Sequence, residues 1–410
     1  MSLFSRRLAA SCILGVFGGR VRAALVDYVK PLIGSGGGNG LGSFASSNVH
    51  VGAQAPFSFL RLGPDTTWAR SDGTVVWVSD DHLAGYSFND THVLAFSHTH
   101  IQGGGCGDLG NFGVSLSSSP NVSALVVGSA TQGDAPYKTP LVHGSGEIAS
   151  PGTYSLELPG VYPGASVSLI AAGTHSGMHV YECPAPSCTL LIDVCHNTHT
   201  GGCPVANLSF ASTGNGSSGE WAVNASVLDY GYFAAQGGGV WVHASATLSV
   251  MSVGAAQVEQ AVAGLWTDRT PLPAAPAGKT PSNDTSGSVG FWVVIPGPAR
   301  FELRIGISLV SPDGAARNLV AEQRGPAPDS WLRVEELRSR SAAVWEAELG
   351  RIQLSVGGAD ASGDASYAMP APPQSCPPPN FDPAYVAKVR CACWHASSPF
   401  LLAPAVLHRS

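Results

Sequence analysis

Three stretches of the chain alternate apolar and polar residues with a period of two, and that spacing dictates strands with one buried face. Val240, Val242, Ala244, Ala246, Leu248 and Val250 alternate with Trp241, His243, Ser245, Thr247 and Ser249. Phe301, Leu303, Ile305, Ile307 and Leu309 alternate against a set that includes Arg300, Glu302 and Arg304. Tyr154, Leu156 and Leu158 do the same against Ser155 and Glu157. Successive side chains of a strand point to opposite faces, so each run puts its apolar set on one side of a sheet. The turn dipeptides Pro159-Gly160, Pro163-Gly164 and Pro296-Gly297 separate such runs. The chain has 50 Gly and 30 Pro among 410 residues. Average usage of the pair is roughly 12%, so turns are oversupplied and long helices undersupplied. A 44% apolar content is enough for a core and excludes wholesale disorder. Nothing between residues 26 and 325 reads as a long amphipathic helix. The expectation is a mostly β protein, a large antiparallel β-sandwich over residues 24–326.

The pattern changes after that. Asp329 to Arg351 is charged and free of Pro, with Leu337, Val344, Trp345 and Leu349 near helical spacing and Asp329 or Ser330 as the N-cap. Residues 327–356 thus read as a helical linker. Residues 357–379, rich in Gly, Ser, Ala and Pro, read as a flexible segment. Residues 380–410 are too few for a domain of their own.

At the other end, Arg6 and Arg7 precede an apolar run from Leu8 to Gly19, shorter than the roughly 20 residues a bilayer span needs. Val21 and Ala23 fit a cleavage site, so residues 1–23 read as a secretory signal peptide. Two features agree with secretion. Asn89, Asn121, Asn207, Asn215, Asn224 and Asn283 each open an N-glycosylation sequon. Of nine cysteines, one lies in the signal, leaving an even number for an oxidising compartment. No other segment is long and apolar enough to span a membrane. A net charge of −7 supplies no basic excess for phosphates, which argues against a nucleic-acid partner.

Several motifs invite chemistry. Gly34 to Gly42 contains no GxGxxG, because Leu41 stands where the third Gly belongs, and Pro273 spoils a Walker reading of Gly278-Lys-Thr. The Gly-rich stretch reads instead as a loop whose backbone can approach a ligand. His98 and His100, if they lie on a strand, point to one face and could form half of a zinc site completed by Cys106 or Asp108. The alternative is a hydrogen-bonded pair in a cleft or interface. Cys183, Cys188, Cys195 and Cys203, with His196 and His199 between them, have zinc-like density. In a secreted chain two disulfides are the better reading, with three pairings open. No Asp/Glu pair in the β region stands out as the acid and base a glycosidase needs, and no GxSxG elbow exists for a serine hydrolase.

Beyond these residues lies a resemblance. Val29-Lys-Pro-Leu-Ile-Gly-Ser-Gly-Gly, Gly52-Ala-Gln-Ala-Pro-Phe, Leu62-Gly-Pro-Asp-Thr66, Gly85-Tyr-Ser-Phe-Asn-Asp90 and Phe96-Ser-His-Thr-His-Ile-Gln-Gly-Gly-Gly-Cys-Gly-Asp-Leu-Gly110 follow one another in order. Together they closely resemble glycoside hydrolase family 92, calcium-dependent inverting exo-α-mannosidases, over residues 26–355. The resemblance implies an N-terminal supersandwich-like β-domain followed by an (α/α)6 barrel that carries the acid, the base and most calcium ligands. It implies that residues 327–356 are the inter-domain linker. Cys393-Trp-His-Ala-Ser-Ser-Pro-Phe-Leu-Leu-Ala-Pro404 looks like a remnant of the barrel's first helix, so residues 380–410 read as a truncated stub. Asn111 stands where the family more often has Asp.

The site residues that carry over are the sandwich's own: Gly36, Gly37, Gly38, Trp68, His98, His100 and Asp108, as a substrate-facing set. No catalytic carboxylate and no metal ligand can be assigned. The first expectation is the carbohydrate-facing domain of an α-mannosidase acting on mannose-containing N-glycans, inactive without its barrel partner, with calcium belonging to the full-length family rather than to this chain. The alternative is a secreted non-catalytic carbohydrate-binding or interaction protein.

Overall fold

The computed structural model describes residues 24–36, 49–69, 75–76, 84–103, 107–127, 138–198, 202–213, 219–252, 257, 259–327 and 330–352. The segments read as signal peptide, flexible stretch and barrel remnant lie outside these residues, as do Gly37, Gly38, Cys106, His199 and Asn215. Two antiparallel sheets carry the fold. The first runs, in spatial order, Ala53–Gln54, Arg61–Ala69, His92–Ser97, Gly113–Ser117, Ser187–Asp193, Val289–Pro296, Val262–Thr267 and Thr270–Pro271. Short strands Val75–Val76 and Thr139–Pro140 pair with its second and third members. The second sheet runs Ala277–Lys279, Val205–Ser212, Glu220–Asp229, Val240–Ser252, Ala299–Ser308, Ser176–Cys183, Ser166–Ala171, Thr153–Glu157 and Glu147–Ser150. The mostly β sandwich expected from the alternation is what the chain forms.

The core lies between the sheets. Val242, Ala244, Ala246, Leu248 and Val250 face it from one strand, and Phe301, Leu303, Ile305 and Ile307 from the next. Val289, Phe291, Val293 and Ile295 meet them from the other sheet. Each buried Val, Leu, Ile or Phe among them contributes about 1.5–3 kcal/mol by leaving water. The alternation overreaches at its ends: Val240 and Leu309 are exposed, Leu309 because the strand stops at Ser308.

Helices cover the outer faces. Leu337 of the helix Val334–Leu349 packs on Ile170, Met178 and Val180 behind the second sheet. Trp345 Nε1–H donates to the Gln54 carbonyl at 2.7 Å, tying that helix to the edge of the first sheet. Its start differs from the sequence expectation. Ser330 is no N-cap, because an Arg324–Trp331 bridge and Leu332 N–H donating to Gln323 hold the approach extended until Arg333. Arg324 also lies over the Trp331 ring at 4.2 Å.

A second helix, Pro312–Gln323, contradicts the reading that the region before residue 325 has none of length. Its signal was a cap rather than a periodicity. Ser311 Oγ accepts from Gly314 N–H at 3.0 Å and Pro312 opens the first turn. Gly306 lets this helix press onto its strand, since a Cβ there would sit 2.4 Å from the Ala315 carbonyl oxygen.

The cysteines resolve into Cys183–Cys188 and Cys195–Cys203. Cys183 ends a strand of the second sheet and Cys188 lies in one of the first, while Cys195–Cys203 spans the return path. Both bonds therefore staple sheet-crossing connections rather than bind zinc.

Candidate functional site

Asp65 organises the end of the first sheet. It lies in the strand Arg61–Ala69, where the register with His92–Ser97 shifts between Asp65 and Thr66, and such a bulge re-aims a side chain. His100 donates from Nε2 to Asp65 Oδ1 at 2.7 Å and from Nδ1 to the Arg61 carbonyl at 2.8 Å. His196 donates from Nε2 to Asp65 Oδ2 at 2.5 Å. All three side chains are buried. Burial alone would raise the Asp65 carboxyl, but the charge and hydrogen bond of His100, with those of His196, hold it well below the usual carboxylate range. Burial would lower His196, and the Asp65 hydrogen bond and charge reverse that and raise it. His50 stacks on His100 with centroids 4.8 Å apart. Glycines make the room: a Cβ at Gly85 would lie 2.2 Å from Asp65 Oδ1, and one at Gly113 2.5 Å from His196 Cγ.

His98 parts from His100. Its Nδ1–H donates to the Phe112 carbonyl at 2.7 Å, so Nε2 accepts from His179 Nε2–H at 2.8 Å. Tyr181 O–H then donates to His179 Nδ1 at 3.1 Å. This neutral chain crosses from the first sheet to the second. Burial lowers His98 to about 4 and drops His179 well below its usual value. Both ring nitrogens of His98 are used and the residue has 0% exposure.

Asp108 is likewise engaged. Its carboxylate accepts from the backbone N–H of Phe233 at 3.1 Å and of Ala234 at 2.9 Å, holding the short helix Tyr232–Gln236. It is therefore not turned toward the histidines as a zinc reading required. Asn111 Nδ2 donates to Asp229 Oδ1 at 3.0 Å and its Oδ1 accepts from Thr99 at 3.1 Å. An amide fits there because a carboxylate would face the Asp229 carboxylate.

Exposure selects a different set. Trp68 is 43% exposed and shares a strand face with Thr66. Thr66 Oγ1 accepts from Ser87 N–H at 2.9 Å and donates to Asp90 at 2.5 Å, so the turn Ser87–Asp90 stands on that same face. Phe88, in this turn, is 40% exposed and stacks on His143 at 4.3 Å. Glu147 orients His143 by accepting from Nδ1 at 2.6 Å, and it also accepts from Tyr86 and Tyr154 at 2.9 Å each. Burial first, and then the Glu147 charge, raise both phenols, which keeps them donors. Gly36 closes on this turn, since a Cβ there would sit 2.8 Å from Phe88 Cβ. Gly36 thus borders the exposed Phe88 turn and Trp68 is exposed on the strand to which that turn is tied, whereas His98, His100 and Asp108 are buried. Phe88, His143 and Glu147 were not singled out in the sequence. Their one sequence signal is Gly85-Tyr-Ser-Phe, an element of the family resemblance.

The sequence model of the glycosyl hydrolase family 92 N-terminal domain matches residues 28–308. The chain belongs to this family. Among solved structures, the GH92 α-mannosidase BT3965 from Bacteroides thetaiotaomicron is similar at 24% identity, TM-score 0.58, over 82% of this chain and 39% of its own. The GH92 glycosyl hydrolase ccman5 follows at 22% identity and TM-score 0.57, over 81% and 38%. The inverting mannosidase BT2199 from Bacteroides thetaiotaomicron VPI-5482 has 17% identity and TM-score 0.53, over 82% and 37%. These likenesses establish the fold, and this chain spans well under half the length of each. Comparison with curated proteins gives no match.

Family 92 is calcium-dependent in general. Calcium takes six to eight oxygen ligands. Among the described residues no three acidic, histidine or cysteine side chains converge as a metal needs. Asp65, a fully buried carboxylate, is surrounded by ring nitrogens. These residues do not fit calcium. Among the described residues, also, no helix is long and apolar enough to cross a membrane.

Proposed function

We propose that this chain is the carbohydrate-facing domain of a secreted, α-mannosidase-like glycoside hydrolase, and that its face at Trp68, Phe88 and His143 receives mannose-containing glycans. One observation carries the reading: exposed aromatic rings are held rigidly, Phe88 by His143 and His143 by Glu147. A sugar's apolar C–H face is matched by such a preset ring at little ordering cost.

The chain alone does not perform the hydrolysis. An inverting glycosidase sets an acid and a base roughly 6.5–9.5 Å apart across the bond, with a water between. Asp65, Glu147 and Asp108 are buried and each is held by two or more donors. A carboxylate so satisfied neither gives nor takes a proton for a substrate. The acid and base would come from a barrel domain seated against this face. A sugar-binding protein without catalysis is the second reading, and the same observation favours it.

The test titrates the full chain with methyl α-mannoside by ligand-observed NMR, and assays 4-nitrophenyl α-mannoside with calcium present. Saturable binding without turnover is expected. Turnover by a contaminant-free chain overturns the division of labour, and absence of binding overturns the mannosyl reading.

A further inference from the structure

We propose that Asn89 carries an N-linked glycan whose first sugars lie over Phe88 and cover the exposed aromatic face. The covering role rests on the reading of that face as sugar-facing. The modification itself does not.

Asn89-Asp90-Thr91 is a sequon, and Asn89 is exposed in a turn closed by Asp90 N–H donating to the Ser87 carbonyl at 3.0 Å. Phe88 N–H donates to the Ser35 carbonyl at 2.8 Å, and one side of its ring stacks on His143. The ring is thus fixed on the residue that precedes the acceptor Asn89, and both residues are exposed. Gly36 borders the turn, its Cβ position being 3.6 Å from Asn89 Oδ1.

The other described sequons lack such a platform. Asn224 lies mid-strand, and its cross-strand neighbours are Ser209 and Ser245. Asn121 caps the turn Val122–Leu125 through Oδ1. Asn207 and Asn283 hydrogen-bond to each other. Among the described sequons only Asn89 follows an exposed ring already held in place, and an attached sugar that buries that apolar surface gains by it.

In the transfer, Asn89 Nδ2 bonds to C1 of the first N-acetylglucosamine of a lipid-diphosphate-linked oligosaccharide. The C1–O bond to the diphosphate breaks, the lipid diphosphate leaves, and Nδ2 gives up one proton. A glycan resting on Phe88 is shielded from trimming enzymes and competes with incoming glycans for the same face.

The experiment expresses the full chain through the secretory pathway of a eukaryotic host and maps its glycopeptides by mass spectrometry. Asn89 should be occupied, with at least threefold more untrimmed oligomannose forms than Asn121 or Asn224. Phe88→Ala should abolish the difference without changing occupancy. A bare Asn89, equal trimming in the parent chain, or a difference that survives Phe88→Ala overturns the proposal. Asn89→Gln should tighten methyl α-mannoside binding at least threefold. Unchanged affinity overturns the covering role while leaving the mannosyl reading intact. Absence of binding in both forms overturns the mannosyl reading, and the glycopeptide map still decides the glycan's position.

Discussion

His98 and His179 share one hydrogen bond, Nε2 to Nε2 at 2.8 Å, and through it the two sheets of the sandwich are joined by side chains deep in the core. Removing either ring strands the nitrogen of the other and opens a cavity. A buried polar group left unpaired costs about 1–3 kcal/mol. We expect His98→Ala to destabilise by about 3 kcal/mol in urea unfolding, with the cavity included. His179→Ala should cost a similar amount, and the double variant less than their sum. A His98→Ala chain as stable as its parent contradicts an inter-sheet role.

Stability should peak near pH 6.5, the ordinary histidine value. His98, His179 and His50 are held low by burial. As pH falls below about 6.5 the unfolded chain gains protons that these native rings refuse, so stability falls toward the His98 value of about 4. His196 is raised, so its contribution is complete below the unfolded value and is lost as pH rises through its native one. Asp65 is lowered and contributes above the unfolded carboxylate value, its share lost only as pH falls through the native value. Urea midpoints from pH 4 to 9 check this. Asp65→Asn should flatten the alkaline limb, and a parent profile already flat above pH 6.5 disproves the account.

Asn111→Asp should be acid-rescued. The substitution sets a second carboxylate against Asp229 Oδ1, where the amide now donates at 3.0 Å. One of the two must then hold a proton. We expect a loss of about 2 kcal/mol at pH 7, much of it recovered near pH 5, measured by thermal unfolding at the two values. An equal loss at both would mean that the amide's shape, not its charge, matters.

Trp68→Ala should separate binding from folding. Its side chain is 43% exposed, so stability should change by no more than about 0.5 kcal/mol. Affinity for methyl α-mannoside should drop about tenfold, roughly 1.4 kcal/mol. A lowered melting temperature with affinity intact would assign Trp68 to packing.

Much of this was legible in the residues. Period-two spacing located the strands at 240–252 and 299–308, because one buried face leaves a local imprint. The helix at Pro312–Gln323 left only Ser311-Pro312, since it packs closely at Ala315 and Leu319 onto Gly306 of the strand just before it rather than through a stripe of large apolar residues. The Ser-His-Thr-His block was conspicuous, yet its two histidines proved to have separate duties. Spacing says that alternate residues share a face while they lie on a strand, and the strand ends at Ser97.

Sequence by itself determined the class of fold and the family, because alternation and ordered motifs are properties of the chain read in a line. Only the tertiary structure decided the partners: Cys183 with Cys188, His98 with His179, Asp65 between His100 and His196, and Phe88 on His143. Residues 35 to 131 positions apart meet in the Asp65 cluster. Contacts over such separations are made by sheet packing, and no local pattern encodes which buried group will find which. Burial then sorted foundation from surface, leaving Trp68 and Phe88 exposed.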